Sequence, residues 1–242
     1  MKIAVLADIH GNYEALKTVL SDVDGADAYI ILGDLVDYGP EPEEVVDTVR
    51  RLRCFTVRGN HDHAVAFNVD CRCGSRTHWV SVMTREVISK KFLTRESINF
   101  LKDLPLKLEL YFDNIRVLSV HAAPTDPLYR YLYPWLSTDE FKEALGFQGA
   151  SSFNIVLVAH THYQFIKVVG DVVVLNPGSV GQPRDEDPRA AYAVIETDTN
   201  EVYLRRVKYD VNRTLRKLRE VLGDRIKEYE FLSKLLISGK LD

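Results

Sequence analysis

A buried strand that ends in a carboxylate and an imidazole opens the chain. Residues 3–7 form an unbroken apolar run, the pattern of a strand covered on both faces, and Asp8-Ile9-His10-Gly11 follows directly. Side chains two residues apart point to the same side of an extended chain, so Asp8 and His10 leave the strand facing one way. This pair can begin a metal site, although a surface turn has the same local sequence.

The first quarter of the chain repeats this arrangement. The sequence predicts further strands at 28–32 and 54–57, a helix that begins near Asn12, and a helix at about 41–51. Strands that alternate with helices indicate βαβαβ units and a largely parallel sheet. Polar residues follow every predicted strand, and in such sheets functional groups gather beyond the carboxyl ends of the strands.

The second half of the chain indicates a second sheet that is richer in antiparallel pairs. Hairpins are predicted at 106–120, 165–175 and 190–208, with a further strand at 155–159. A helical insertion at about 76–104 is interpreted as a packed helical pair, with a lid over the site as the alternative. A helical tail begins at about residue 211. We therefore predict an α/β fold and a single domain over residues 1–242.

The composition is that of an ordinary folded protein, with 46% hydrophobic residues and a formal net charge of −4. No apolar run is long enough to cross a bilayer, and no basic segment with a cleavage site precedes the first strand. We therefore expect a cytoplasmic protein without a membrane partner. The sequence leaves a homo-oligomer open.

Two further features carry weaker signals. Cys54, Cys71 and Cys73 do not form a disulfide framework, and Cys71-Arg72-Cys73 is a poor zinc signature, so loop cysteines without a role are the favoured interpretation. From Arg205 onward there are 11 basic and 6 acidic residues. This surplus can attract an anionic partner, but a solvated helix face is favoured. A nuclease is disfavoured, since the chain lacks an evident basic surface interleaved with aromatic residues.

Five predicted strand ends carry residue types that bind metals. Five of the seven histidines lie there, whereas buried structural histidines more often lie within an element. Carboxylate, imidazole and amide oxygen without thiolate suit Mn²⁺, Fe²⁺ or Zn²⁺, and the set is too large for one tetrahedral ion. Two ions that share one carboxylate would use it fully, as in two-metal sites for phosphoryl chemistry. The residues are Asp8, His10, Asp34, Asn60, His61, His121, His160 and His162.

Taken in order, the motifs DIH, GDLVDYG, GNHD, a single histidine after a strand, and HTH resemble those of the calcineurin-like metallophosphoesterase superfamily. The resemblance covers residues 1 to about 185. It is closest to the small prokaryotic phosphodiesterase and phosphatase branch, whose members also carry the NPGSV turn found here at residues 176–180. It implies a four-layer α/β/β/α sandwich of two mixed sheets and a metal-dependent phosphoric ester hydrolase.

The resemblance also implies a role for each site residue. Two divalent ions are implied, Mn²⁺, Fe²⁺, Zn²⁺ or Ni²⁺ with Mn²⁺ favoured, and a hydroxide that bridges them would attack phosphorus in line. His61 would be the general acid, and Asp37 would orient its ring, with Asp62 as the alternative partner. The implied ligands are Asp8, His10 and His162 for the first ion, Asp34 as the bridge, and Asn60, His121 and His160 for the second.

One departure from the family pattern bears on the substrate. Protein serine/threonine phosphatases carry an arginine after GD-x-x-D that grips the substrate phosphate, and Tyr38 takes that place here, which argues against protein phosphoserine. A phosphate clamp must then come from elsewhere. Arg58, His63, His78 and Arg184 are candidates, of which Arg58 and Arg184 are the predicted substrate-binding residues.

The predicted reaction is hydrolysis of a small phosphodiester or nucleotide-type phosphate ester. One alternative is a phosphomonoesterase, including a protein phosphatase. A second alternative is a non-catalytic metal-binding scaffold, which would be expected to have lost some ligands or the acid position. All of these positions are intact in the sequence, and the enzyme is therefore favoured over the scaffold.

Overall fold

The strand at the start of the chain lies in the middle of a five-stranded sheet. The computed structural model describes residues 1–52, 54–146 and 152–241. Its first sheet has the strand order β10-β9-β1-β2-β3 and its second has the order β4-β5-β6-β8-β7. The strands are β1 (Lys2–Leu6), β2 (Ala28–Ile31), β3 (Phe55–Thr56), β4 (Lys107–Phe112), β5 (Ile115–Val120), β6 (Ile155–Leu157), β7 (Gln164–Val169), β8 (Val172–Pro177), β9 (Ala190–Glu196) and β10 (Glu201–Val207).

Both sheets are mixed. In the first sheet, β1 pairs in parallel with β2 and antiparallel with β9. In the second sheet, β6 pairs in parallel with both β5 and β8, while β4 and β7 are antiparallel to their neighbours. All three predicted hairpins are present, but the third, β9–β10, extends the first sheet and not the second. The pairs β1–β2 and β2–β3 are parallel as predicted, whereas β9 and β10 pair antiparallel, so the first sheet is not largely parallel.

Helices cover the outer faces of the two sheets. They are α1 (Tyr13–Asp22), α2 (Pro42–Arg51), α3 (Asn60–Phe67), α4 (Ser75–Thr84), α5 (Lys90–Phe92), α6 (Arg95–Asp103), α7 (Thr138–Leu145), α8 (Val211–Leu222) and α9 (Ile226–Ser238). A π-helix, Arg85–Ser89, joins α4 to α5. The predicted helical insertion therefore consists of two longer helices, α4 and α6, with the π-helix and the short α5 between them. Among the described residues, no helix combines the length and the apolar character that a bilayer crossing requires.

The side chains of β1 show how the layers are assembled. Ile3 and Val5 belong to a core between the two sheets, whereas Ala4 and Leu6 belong to a second core that includes residues of α1 and α2. All four are fully buried. Because alternate residues of a strand face opposite sides, an apolar run fills both cores at once, and each large side chain contributes about 1.5–3 kcal/mol. The predicted four-layer α/β/β/α sandwich is confirmed.

The insertion and the C-terminal helices share a further apolar cluster. Val80 of α4 and Ile88 of the π-helix lie in it with Leu218, Leu222 and Leu232 of α8 and α9. Each of these five side chains is almost completely buried. The first part of the insertion is thus packed against the C-terminal helices, a contact that the sequence did not predict, whereas Leu101 of α6 lies in the core that includes residues of α1 and α2.

Candidate metal centre

Several residues that follow the strands have left-handed backbone conformations. An L-residue at positive φ costs about 1–2 kcal/mol, so such conformations persist only where the surrounding structure fixes them, and they concentrate at functional sites. Their φ values in this loop set run from 47° to 66°. The residues are Asp8, His10, Asp34, Asp37, His160 and His162.

Asp8, His10 and His162 form the first group of ligand atoms, which lie within 4.8 Å of one another. Nδ1 of His10 donates to the carbonyl of Val36 at 2.9 Å, and Nδ1 of His162 donates to that of Gln182 at 2.6 Å. Both Nε2 atoms therefore present lone pairs, and they lie 3.2 Å apart. Burial lowers the pKa of His10 to about 3, so no proton relieves this repulsion. A cation bound between the two nitrogens would relieve the repulsion.

The carboxylate of Asp8 completes this group without a hydrogen bond of its own. Oδ1 and Oδ2 are buried and have no hydrogen-bond partner among the described residues. Burial raises the pKa of Asp8 to about 7. Buried polar groups are nearly always satisfied, and an unsatisfied carboxylate fits a site built for a cation. The NPGSV turn fixes the Asp8 backbone, since Ser179 Oγ donates to its carbonyl at 2.6 Å.

Asp34, His121 and His160 form the second group, also with ligand atoms within 4.8 Å of one another. Nδ1 of His121 donates to the carbonyl of Leu32 at 2.7 Å. Its Nε2 faces Asp34 Oδ2 at 3.3 Å, His160 Nδ1 at 3.2 Å and Asn60 Oδ1 at 3.0 Å. Burial alone would lower the pKa of His121, and the Asp34 carboxylate raises it to about 9. Nε2 of His160 is buried without a partner.

Asp34 lies between the two groups. Its Oδ2 is 3.7 Å from Nε2 of His10 and 3.3 Å from Nε2 of His121. Its Oδ1 accepts the backbone N–H of His61 at 2.9 Å. Gly59 is packed so closely that a Cβ there would overlap the Asp34 carboxylate, which explains the glycine of GNHD. One carboxylate can thus serve ions held by either group.

The amide of Asn60 has a fixed orientation. Nδ2 donates to the carbonyl of Cys71 at 2.8 Å, which leaves Oδ1 facing His121 Nε2 at 3.0 Å. An amide oxygen oriented in this way is a suitable ligand for the second ion. The cysteine loop therefore contributes to the site through its backbone. The Sγ atoms of Cys71 and Cys73 lie 2.7 Å apart.

His61 is bonded to Asp37, which is itself fixed by the π-helix. Nδ1 of His61 lies 2.9 Å from Asp37 Oδ2, and the same oxygen accepts Nε and Nη2 of Arg85 at 3.0 and 2.7 Å. Ser89 Oγ donates to Asp37 Oδ1 at 2.8 Å. Burial alone would lower the pKa of His61, but Asp34 and Asp37 raise it above its ordinary value. Neither Arg85 nor Ser89 was predicted from the sequence.

The carboxylate of Asp62 has a different set of partners. Oδ2 accepts the backbone N–H groups of Asp34 at 2.8 Å and Gly59 at 3.0 Å, and Oδ1 accepts that of Leu35 at 2.8 Å. Asp62 thus ties the loop after β2 to the start of α3. Of the two alternatives for the partner of the His61 ring, the structure has Asp37 in contact.

Arg184, one of the two predicted substrate-binding arginines, lines a cavity of about 320 Å³. Thr161, which lies between His160 and His162, lines the same cavity. The guanidinium of Arg184 bonds the neutral Oε1 of Gln182, its Nε is buried without a partner, and no carboxylate among the described residues forms an ion pair with it. A buried cation without a counter-ion, next to a ligand cluster, suits an anionic substrate.

Arg58 makes contacts of another kind. Its Nη1 donates to the carbonyl of Lys102 in α6 at 2.7 Å, and its guanidinium lies over the ring of Phe67. These contacts join α3 to α6, and the predicted role of Arg58 in substrate binding stays a prediction. Of the two histidine candidates, His78 pairs with Asp70 and His63 packs on Phe67.

Comparison with known proteins places this site in a family. Residues 1–200 match the model of the calcineurin-like phosphoesterase superfamily domain. The chain belongs to this superfamily. An uncharacterized protein of Methanocaldococcus jannaschii is 32% identical to the chain over 247 aligned positions, which span 93% of this chain and 96% of that protein. The recognition made from the motifs is confirmed.

Two solved structures have the same fold. A metallophosphoesterase from Sphaerobacter thermophilus is 30% identical, with 99% of this chain and all of that chain covered and a TM-score of 0.77. The hypothetical protein PH1004 from Pyrococcus horikoshii is 23% identical, with 100% and 99% covered and a TM-score of 0.78. Superfamily members generally bind divalent metals, and the two ligand groups fit such ions.

Proposed function

We propose that this protein is a metal-dependent hydrolase of phosphate esters that uses two divalent ions. The observation that carries the proposal is the convergence of two buried ligand groups on Asp34, with both carboxylate oxygens of Asp8 left unsatisfied. Facing lone pairs and bare carboxylate oxygens are costly in a buried site, and cations remove that cost.

The donor set favours hard to borderline ions, with Mn²⁺ preferred. When bound, such ions lower the pKa of water so that a nucleophile is available at neutral pH, and they offset charge on the phosphoryl oxygens. The first ion would be held by Asp8, His10 and His162, the second by Asn60, His121 and His160, and Asp34 would contact both. The carbonyls that accept from Nδ1 of His10, His121 and His162 fix these three imidazoles in the tautomer a ligand needs.

His61 is proposed as the acid that protonates the leaving-group oxygen. Asp37 accepts from Nδ1, which keeps the ring oriented and leaves Nε2 as the proton donor. Arg85 and Ser89 in turn fix the carboxylate of Asp37. Burial alone would raise the pKa of Asp37, but His61 and Arg85 hold it below its ordinary value. The proton between His61 Nδ1 and Asp37 therefore stays on the imidazole.

Arg184 is proposed to bind a phosphate oxygen of the substrate. Its guanidinium places a positive charge in the cavity beside Thr161, and no carboxylate among the described residues forms an ion pair with it. Tyr38, by contrast, is buried, and its hydroxyl lies 3.8 Å from Cys73 Sγ. Tyr38 thus stands where protein serine/threonine phosphatases carry an arginine, and its side chain supplies no positive charge for the substrate phosphate. We propose a small phosphodiester or nucleotide-type ester as the substrate.

A hydrolysis screen with added Mn²⁺ tests the proposal. It compares phosphomonoesters, phosphodiesters, cyclic nucleotides and dinucleoside polyphosphates, with EDTA-treated protein and the Asp34→Asn variant as controls. We expect turnover of diester or nucleotide substrates that EDTA and Asp34→Asn abolish. Turnover that is fastest with simple monoesters would favour the phosphomonoesterase alternative. Two bound ions without hydrolysis of any ester would contradict the enzyme.

A further inference from the structure

Three aromatic rings form a stacked row that leads away from the candidate metal centre. The ring of Tyr131 lies 4.0 Å from that of His160, centroid to centroid. Tyr133 is stacked on Tyr131 at 5.6 Å, and Trp135 is stacked on Tyr133 at 4.7 Å, with neighbouring planes 7° and 10° from parallel. We refer to Tyr131, Tyr133 and Trp135 as the aromatic row.

The outer end of the aromatic row is open to solvent. Trp135 is 64% exposed, and Tyr163 meets its ring edge-on at 5.1 Å. The other tryptophan, Trp79, lies against Phe231 in the cluster formed with the tail. A large ring left in water at the end of a row that begins at His160 marks a surface that gains free energy when a partner covers it.

The cavity bounded by the aromatic row carries positive charge. Its volume of about 320 Å³ is at the lower end of the range for small-molecule sites. Arg76 and Arg184 line it, and none of its described lining residues is acidic, although the chain has a net charge of −4. The first turn of α4 also lines it, and helix N-termini favour anions.

We propose that this cavity binds a nucleotide, with the base stacked on the aromatic row and a phosphate between Arg184 and the metal centre. The inference rests on the proposed function and names the substrate class of the same site. Stacking of a base on an aromatic side chain contributes about 1–3 kcal/mol, and every base has a π-face for it. The uncompensated guanidinium supplies the matching contact for phosphate.

The length of the row distinguishes a nucleotide from an aryl phosphate such as phosphotyrosine. A ring bonded directly to the reacting phosphate lies next to that phosphate, and Tyr131 is the member of the aromatic row nearest to the metal centre. Trp135 is reached from His160 only past Tyr131 and Tyr133. A sugar, or a sugar with a further phosphate, supplies that spacing between the base and the scissile bond.

Matched substrates with and without a base test this inference on the Mn²⁺-loaded full chain. The pairs are AMP against ribose 5-phosphate for a monoester, and the methyl esters of the same two compounds for a diester. We expect kcat/KM to be at least about tenfold higher for the member with the base. Trp135→Ala should remove about tenfold of that preference through KM, leave the base-free member within about twofold, and be rescued by Trp135→Phe.

A fluorescence titration gives a readout that does not depend on turnover. In the Trp79→Phe variant, Trp135 is the only tryptophan. ADP should quench its emission and inorganic pyrophosphate should not. Trp79→Phe also serves as the control for the kinetic measurements, because it alters a tryptophan outside the cavity.

The outcomes separate the two proposals. Equal turnover within each pair, an equal effect of Trp135→Ala on both members, or a Trp135-dependent preference for p-nitrophenyl phosphate in place of the nucleotide would overturn the inference and leave the hydrolase standing. Absence of all turnover would overturn the hydrolase. In that case ADP-specific quenching of Trp135 would still support a nucleotide site. If ADP did not quench Trp135 either, the nucleotide site would be overturned as well.

Discussion

Nδ1 of His61 and Oδ2 of Asp37 lie 2.9 Å apart, and two further side chains fix the position of that carboxylate. Arg85 donates two hydrogen bonds to Oδ2 and Ser89 donates one to Oδ1. These donors come from the two ends of the five-residue π-helix Arg85–Ser89. π-Helical turns are rare in proteins overall, and those that occur are often found at functional sites. Here the irregular turn supports the residue that orients the proposed acid.

His61→Gln should leave both ions bound and reduce turnover by about 10²–10⁴-fold, because the leaving group loses its proton donor. Esters with poor leaving groups should be affected most. Asp37→Asn should give a smaller loss in the same direction, since the ring loses its orientation. Steady-state kinetics with substrates of graded leaving-group pKa, together with metal analysis, measure both. Near-normal turnover of poor leaving groups by His61→Gln would remove His61 as the acid.

Asn60→Ala should weaken one of the two ions, because Oδ1 faces the second ligand group at 3.0 Å from His121 Nε2. Isothermal titration with Mn²⁺ should show one site of unchanged affinity and one weakened by about 10–100-fold, the range for loss of a supporting metal contact. Asn60→Asp retains an oxygen and is the matched control. Two unchanged sites in Asn60→Ala would exclude the amide as a ligand.

Arg184→Gln should raise KM for phosphate esters by about 10–100-fold with unchanged metal content. A charge-assisted hydrogen bond to phosphate is about twice as strong as a neutral one, and no carboxylate in the described part of the chain pairs with Arg184 and competes with the substrate. The control is Arg189→Gln, because Arg189 is exposed and already paired with Asp187. Loss of the ions, or an equal effect of both substitutions, would contradict this assignment.

Glu14 should make the stability of the fold depend on pH. Its carboxylate in α1 pairs with Lys217 and Arg213 of α8 at 2.9 Å. Burial alone would raise its pKa, and Lys217 and Lys17 lower it below 4.5, the ordinary value. The stabilisation is therefore complete above about pH 4.5 and is lost as the pH falls through the lower folded-state value.

The substitution Glu14→Gln should lower the free energy of unfolding by about 1 kcal/mol at pH 7, since the partners are partly exposed. Urea denaturation at pH 7 and at pH 3 measures this difference, which should shrink at the lower pH. Glu220→Gln, exposed on the same helix α8, is the control. A difference that is the same at both pH values would show that the charge of Glu14 is not its cause.

The fold and the candidate ligands were predictable because each signal is local. Every candidate ligand lies within three residues of the end of a predicted strand, and the parallel pairs β1–β2 and β5–β6 bring those strand ends to one region. The apolar runs predicted buried strands, and the polar residues after them predicted the positions of Asp8, Asp34 and His121. Sequence patterns of this kind report on the next few residues, which is all these assignments required.

The parts that were missed depend on contacts between distant segments. Helix α3 was not predicted, because Asn60, His61 and Asp62 occupy its first turn and nearly all of its residues are buried, which leaves no apolar stripe. The π-helix is invisible to a 3.6-residue period. Helix α7 did have a readable signal, a capping box formed by Ser137 and Glu140.

The aromatic row also had a signal in the sequence. Tyr131, Tyr133 and Trp135 occupy alternate positions, but only the structure brings the first of them against His160. The opposite holds for Arg184, which was proposed from sequence among four candidates. Its position, visible only in three dimensions, distinguishes it from Arg58: Arg184 lines the cavity beside Thr161, whereas Nη1 of Arg58 donates to the carbonyl of Lys102 in α6.

The central claim is that two cations share Asp34 between the two ligand groups. Anomalous diffraction at the manganese edge from crystals of the Mn²⁺-loaded protein tests it directly. We predict two peaks, one beside Asp8, His10 and His162 and one beside Asn60, His121 and His160, with Asp34 coordinating both. A single peak, or peaks that Asp34 does not contact, would contradict the account.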